Sequence, residues 1–430
     1  MKSESNLGEE MHQWATDLFP ICRSLTGAGV RETLNYLSQI LPNLNTYQVS
    51  SGTQVFDWVV PDEWSISEAY IEDQAGKRII DFLNNNLHVV GYSEPIDLWL
   101  TLDQLSNHLY SLPDQPDAIP YVTSYYSRRW GFCLTDQQRQ SLEDGLYHVV
   151  INSSLKPGVL NYAELLIPGQ SEQEVFLSTY ICHPSMANNE LSGPVVATAL
   201  ARWLESAHRY YSYRIIFIPE TIGSIVYLSR NMAHLKNNVI AGFNITCIGD
   251  DRCYSYLPSR AGNTLSDQAA LHVLKYIDPS FKHYSRLDRG SDERQYCAPD
   301  VDLPIATIMR SKYGEYPEYH TSLDNLQDVV KPAGLAGGFN ALKLAIETIE
   351  NAIYPKINVF CEPQLGKRGL YPTISSKGSA NQVKAMMDMI SYCEGNYNLL
   401  EIANIIDKPI WDLTNILKPL IENGLITIKH

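Results

Sequence analysis

The chain has 430 residues, 44% of them apolar and 19% charged, with a formal net charge of −15. That length suggests two or three domains, one of them with a large core, and the composition excludes a disordered or low-complexity chain. The acidic balance argues against general affinity for nucleic acid or anionic membrane, because phosphate contacts need Lys and Arg.

The N-terminal stretch MKSESNLGEEMHQWATDLF is polar and acidic and lacks the apolar core of a signal peptide. No run approaches the roughly 18 apolar residues that span a bilayer. The eight cysteines are scattered without a C-x-x-C pair, so they read as reduced thiols and the chain as cytoplasmic.

Residues 9–41 read as helix, polar turn and helix, with Val30, Leu34, Leu37 and Leu41 near helical spacing. From 48 to 135, short alternating runs (TQVFDWVV, AYIED, RIIDF, LHVVGY) between Pro, Asp and Asn turns suggest a β-rich module heavy in Trp and Tyr. From about 145, LYHVVINSS, AELLIPG, VFLSTYICH and YRIIFIPE are apolar β-branched runs, followed later by VIAGFNITCIG and LPIATIM with helical stretches between. This alternation predicts an α/β fold: a mixed, mostly parallel sheet with helices on both faces. A long helix is expected over 335–352 and a Pro-containing linker over 355–375. Three short helices and a strand over 376–430 suggest a winged helix. The expected domains are an α/β unit (1–47 with 136–355), an inserted β module (48–135) and a winged-helix domain (376–430).

In such sheets the active site lies beyond the carboxyl ends of the strands, and three stretches put polar residues there. VFLSTYIC ends at His183, and Glu190 follows just before Ser192–Gly193 and a helix. Imidazole and carboxylate are the usual zinc donors; the plain alternative is a loop His with Glu190 as a helix-end charge. YRIIFIP delivers Glu220, placed as a hydrolase base requires or as a helix cap. After LPIATIM come Arg310, a Tyr-rich loop, Tyr319, His320 and Thr321, with Ser291–Asp292 upstream. A lone His there would be ordinary; beside the other two stretches it becomes a ligand candidate. The stretch SYYSRRWGF places Arg128, Arg129 and Trp130 together, as a wall for an anionic or sugar-bearing substrate or as a packed cluster with solvated Arg heads; the second reading is preferred.

Together these residues resemble the zinc aminopeptidase superfamily that includes the glutaminyl cyclases. The resemblance runs through His183, Ala187-Asn188-Asn189-Glu190 with Ser192-Gly193, Glu220, Ser291-Asp292 and Tyr319-His320-Thr321, over about 145–350. The whole chain is similar to a small bacterial subfamily that joins such a core to an inserted β module and a winged-helix tail, often beside polysaccharide-biosynthesis functions. The resemblance implies a zinc-dependent exopeptidase in which water at the metal attacks a peptide or amide carbonyl and Glu220 is the general base. The sequence departs from the two-metal pattern: Asn189 stands where a bridging Asp is expected, Thr221 where a second Glu is, and Thr246 near a further Asp. With carboxylates missing, two cations would repel each other. One zinc per chain is expected, held by His183, His320 and Glu190, with Asn189 as the alternative third ligand. Asp292, Arg310 and Tyr319 are candidate substrate contacts.

The expected substrate is a peptide or small aminoacyl amide. Amide chemistry on an amino-sugar precursor, or an inactive sensor with a winged-helix output, are the competing readings. Residues 380–430 carry four Lys and no Arg against six Asp and Glu, so nucleic acid is an unlikely partner and a docking or homodimer role is preferred. No membrane partner is expected.

Overall fold

The structure is a computed structural model that describes residues 4–370 and 377–429. Residues 371–376, the end of the expected linker and the first residue of the expected tail domain, lie outside the described residues. The chain divides into two compact units, 1–262 with 282–340 and 263–281 with 341–430.

In the first unit an eight-stranded sheet runs in the order Asn45–Ser50, Val159–Ile167, Ser212–Ile218, Glu174–Tyr180, Val239–Asn244, Ile305–Met309, Ser255–Leu257, Lys282–His283. The four strands from Ser212–Ile218 to Ile305–Met309 are mutually parallel, and the flanking pairs bring in antiparallel neighbours. Glu174–Tyr180, at the centre, is buried at every residue, which is why VFLSTY reads as an unbroken apolar run rather than an alternation.

One expected core strand lies elsewhere. Leu146–Lys156 pairs with Glu63–Glu72 and Ile96–Thr101 in a separate four-stranded antiparallel sheet that ends on Arg78–Asp81. Its burial alternates, with Tyr147, Val149 and Ile151 inside and Leu146 and Asn152 outside. That is the pattern of a sheet covered on one face, and the β-branched composition of LYHVVINSS masks it.

The helix Ser192–Glu205 shows why a small pair opens it. It is sealed along almost its whole length, and a Cβ on Gly193 would lie 2.4 Å from the Ile245 carbonyl oxygen and 2.5 Å from Thr179 Oγ1. Gly193→Ala is therefore expected to cost about 1–3 kcal/mol through overpacking, read as a lower urea midpoint at unchanged m-value.

The second unit holds helices Leu265–Ile277, Lys377–Ile390, Leu399–Ile405 and Ile410–Glu422, and a hairpin of Tyr354–Ile357 with Ile426–Lys429. The first hairpin strand falls in the stretch expected to be linker. Pro355 misled that reading, although a two-stranded ribbon has open edges where a missing N–H is tolerated. His272 ties Leu265–Ile277 in: its Nδ1 meets Asn404 Oδ1 at 2.7 Å, and its Nε2 accepts from the Ile410 N–H at 2.9 Å. Burial holds its pKa below the ordinary value, as the accepting ring must be neutral. Among the described residues no helix is long and apolar enough to cross a membrane.

Candidate metal centre and active site

The loops leaving three neighbouring parallel strands carry the polar residues. His183 follows Glu174–Tyr180, Glu220 follows Ser212–Ile218, and Thr246 follows Val239–Asn244. His183 is buried and its two nitrogens face different partners. Nδ1 lies 2.9 Å from Glu190 Oε2, whereas Nε2 lies 3.5 Å from Glu220 Oε2. Glu190 comes from a single π-helical turn, Ala187–Leu191, at the mouth of the sealed helix. Behind it stands Arg23, whose Nε is 3.3 Å from Glu190 Oε1 and donates to the His183 carbonyl at 3.0 Å. Both side chains of that ion pair are fully buried. Burial opposes a charge on His183, but Cys182 and Glu190 outweigh it and push the imidazole pKa well above the ordinary value.

His320 lies close to His183. Its ring centre is 5.7 Å from that of His183, and Tyr121 packs edge-on to both at 5.2 and 5.1 Å. Residues 119–122 hold the His320 loop: the Tyr121 N–H donates to the His320 carbonyl, and the Ser322 N–H to that of Ile119. Burial, and then His183, lower the His320 pKa to about 3, so this imidazole is neutral and able to ligate. Tyr319 stacks on it at 3.9 Å.

Glu220 is held by backbone strain. Thr221 adopts φ 63°, ψ −77°, and the Ile222 N–H donates back to the Glu220 carbonyl at 2.8 Å. This is a γ-turn of the rare positive-φ kind, built on a β-branched residue. Asp292 secures it: its Oδ1 accepts from the Thr221 N–H and the Ser224 hydroxyl, both at 2.8 Å. Burial first, and then the Glu220 charge, raise the Asp292 pKa to about 8, and burial raises Glu220 as well.

The expected site residues are brought together unequally. His183 lies beside both Glu220, 3.5 Å from its Nε2, and the His320 ring, and Tyr319 stacks on His320. Glu190 reaches His183 on the side away from Glu220. Asp292 is completely buried under the Glu220 turn. Arg310 lies 3.9 Å over the Tyr254 ring, with Gly337 close beside its guanidinium. Two of the positions that depart from the two-metal pattern, Asn189 and Thr246, share a neutral network in which Tyr180 Oη donates to the Asn189 carbonyl at 2.5 Å and pairs with Thr246 Oγ1 at 2.6 Å.

Sequence reasoning missed Arg23, Tyr121 and Asp324. Asp324 is fully buried and accepts from the Asn188 and Asn189 N–H groups and from the Tyr316 hydroxyl, which fixes the turn carrying Glu190. Burial raises its pKa to about 6 against an ordinary 3.8. Between those values the unfolded chain releases the proton while the folded chain keeps it. Through this group, stability falls by about 3 kcal/mol as pH rises from about 4 to 6. The difference in urea midpoint between the native chain and Asp324→Asn, measured at pH 4, 5 and 7, should shift in the native chain's disfavour as pH rises to 6; a pH-independent difference would contradict it.

Among the described residues, one group of three His, Cys, Asp or Glu ligand atoms lies within 4.8 Å of one another: Cys182, His183 and Glu190. Its chemistry is poor for a cation, since Arg23 already neutralises Glu190 there. Outside that group, His183 Nε2 faces Glu220 at 3.5 Å and the His320 ring lies close by. Two Zn–N bonds of 2.0–2.1 Å at a tetrahedral angle put imidazole centres about 5 Å apart, close to the 5.7 Å between His183 and His320. Glu220 is the acid on that side.

A family profile described as a domain of unknown function, DUF4910, matches residues 12–352. The chain belongs to that family. A winged helix-turn-helix profile matches residues 352–428 of this DUF4910 protein. A Clostridium acetobutylicum relative, provisionally named a polysaccharide biosynthesis protein with an aminopeptidase-like domain, is 44% identical over 406 residues, covering 94% of this chain and 92% of the relative. A crystal structure from Clostridium acetobutylicum, provisionally named a peptidase, superposes with TM-score 0.94 at 40% identity, over 100% of this chain and 98% of that one. The Bacillus subtilis zinc aminopeptidase superposes at TM-score 0.58 and 11% identity, over 80% of this chain and 94% of that one. The DUF4910 region thus has the zinc aminopeptidase fold, and a winged-helix domain follows it.

Proposed function

We propose that this chain is a zinc-dependent hydrolase of peptidase type that works with one metal ion. The observation that carries the reading is the orientation of His183. Nδ1 lies beside Glu190 and Nε2 faces Glu220, the carboxylate–histidine arrangement usual behind a ligating imidazole. His183 Nε2 and His320 would hold the ion, and Glu190 acts from behind rather than as the third ligand. Zinc bound there would polarise a peptide or amide carbonyl and lower the pKa of the attacking water.

The chain's own residues supply the rest. Glu220 takes the proton from the water and returns it to the leaving amine. Asp292, whose pKa burial and the Glu220 charge raise, fixes the strained turn through the Thr221 N–H and the Ser224 hydroxyl. The Tyr319 ring stacks on His320 and holds its plane. Asn189, Thr221 and Thr246 supply no carboxylate for a second ion. The name of the 44% identical relative favours a second reading with the same residues, hydrolysis of an amide on an amino-sugar precursor.

Metal analysis after dialysis against micromolar zinc tests the reading. About one equivalent per chain is expected, falling to near zero in His183→Ala and in His320→Ala. Two equivalents, or full retention in either variant, would rule out this site.

A further inference from the structure

The stretch 124–130, read from sequence as a packed cluster with solvated Arg heads, is divided in the structure. Arg129 turns back to the Thr123 carbonyl and lies 6.0 Å over the Tyr110 ring, and Trp130 stacks on His108 at 3.6 Å. Tyr126 and Arg128 do neither. Tyr126 is 56% exposed, and the Arg128 side chain is 70% exposed with one exposed partner, Glu94 at 3.3 Å.

Two adjoining cavities meet at Arg128 and Leu155. One, of about 210 Å³, is lined by Asp62, Tyr92, Tyr125, Tyr126 and Ser127 among others. The other, of about 530 Å³, includes Glu94, Trp130, Ser153, Ser154 and Lys156. Beside the first, Trp58 sits edge-on to Tyr126 at 5.7 Å and is 38% exposed. Trp58 belongs to a hairpin of Gln54–Val55 and Trp58–Val59 whose tip, Phe56, is 58% exposed. Phe56 also has φ 53°, so the fold holds a bulky aromatic ring outward from a conformation that such residues avoid. The groove reaches the metal centre's surroundings through Tyr125, whose hydroxyl pairs with that of Tyr121 at 2.5 Å.

We propose that this groove binds a pyranose oligosaccharide. Its lining joins the exposed Tyr126 ring, the Ser127 hydroxyl, the cations Arg128 and Lys156, and the carboxylates of Asp62 and Glu94. A hydroxyl-rich ligand with apolar C–H faces satisfies both kinds of surface. A purely apolar ligand would leave the charged groups desolvated. The rings of Tyr126 and Trp58 give stacking area at small entropic cost, and Arg128 donates to ring or carboxylate oxygens.

The test needs no metal, so its result is separate from that of the hydrolase reading. Metal-free protein is titrated calorimetrically with cellohexaose, with a galacturonate hexamer and with a proline-rich decapeptide, up to about 5 mM. Binding of at least one oligosaccharide is expected, weakened at least fivefold in Tyr126→Ala and in Arg128→Ala while their thermal midpoints stay unchanged. Preference for the galacturonate hexamer would assign Arg128 and Lys156 to a sugar carboxylate. Absence of oligosaccharide binding, binding unaltered in both variants, or binding of the peptide alone would overturn the proposal.

Discussion

Glu220→Gln is expected to cut hydrolysis of aminoacyl amides roughly 100-fold or more, the usual contribution of a positioned general base, while the protein keeps its zinc. The two effects separate because the substitution preserves shape. Glutamine can retain the Glu220 side-chain position, and the backbone of the γ-turn is held by Asp292 through the Thr221 N–H, not by the Glu220 carboxylate. What it loses is the ability to accept a proton. Glu220 lies in a region where burial raises its pKa, which brings a carboxylate closer to the range of an effective base at neutral pH. Zinc content and single-turnover rate measured on the same sample decide the role. Loss of metal together with activity would make Glu220 a ligand, and unchanged turnover would remove it from the chemistry.

Arg23→Met should destabilise the first unit by about 3–5 kcal/mol, because it leaves the buried Glu190 carboxylate without its permanent counter-charge. In a chain of this size that lowers the thermal midpoint by roughly 5 °C. Glu190 would lean wholly on His183, and the Arg23 donor to the His183 carbonyl would vanish too. Arg23 also donates to the Leu18 carbonyl at 2.7 Å, so the N-terminal helix Glu4–Leu18 would lose an anchor. The double variant Arg23→Met, Glu190→Gln should recover a good part of the loss, since it removes the orphaned charge. Equal stabilities of the single and double variants would show that the pair contributes through packing alone.

The parts of this architecture that depend on local pattern were legible in the sequence. An apolar run ending in His183, another ending in Glu220, and the Ser192–Gly193 pair at a sealed helix each carry their meaning within a few residues. The side of the His183 ring that each acid would take was not legible. Glu190 and Glu220 stand seven and 37 positions away, and chain order does not say which nitrogen either one meets. Arg23 lies 160 residues from His183, in a loop whose ICRSL text resembles ordinary packing. Leu146–Lys156 was misplaced because β-branched residues fill both kinds of strand, and the alternation that assigns it to the module appears only once its neighbours are known. Tyr121 acts through a segment that docks on the His320 loop, a long-range pairing with no local signature.

The most direct test of the account is a crystal of the zinc-loaded protein with diffraction collected on both sides of the zinc absorption edge. The account predicts a single anomalous peak, about 2.0–2.1 Å from His183 Nε2 and from a ring nitrogen of His320, with Glu190 still on Nδ1. A second peak near Asn189 and Thr246, or a peak among Cys182, His183 Nδ1 and Glu190, would contradict it.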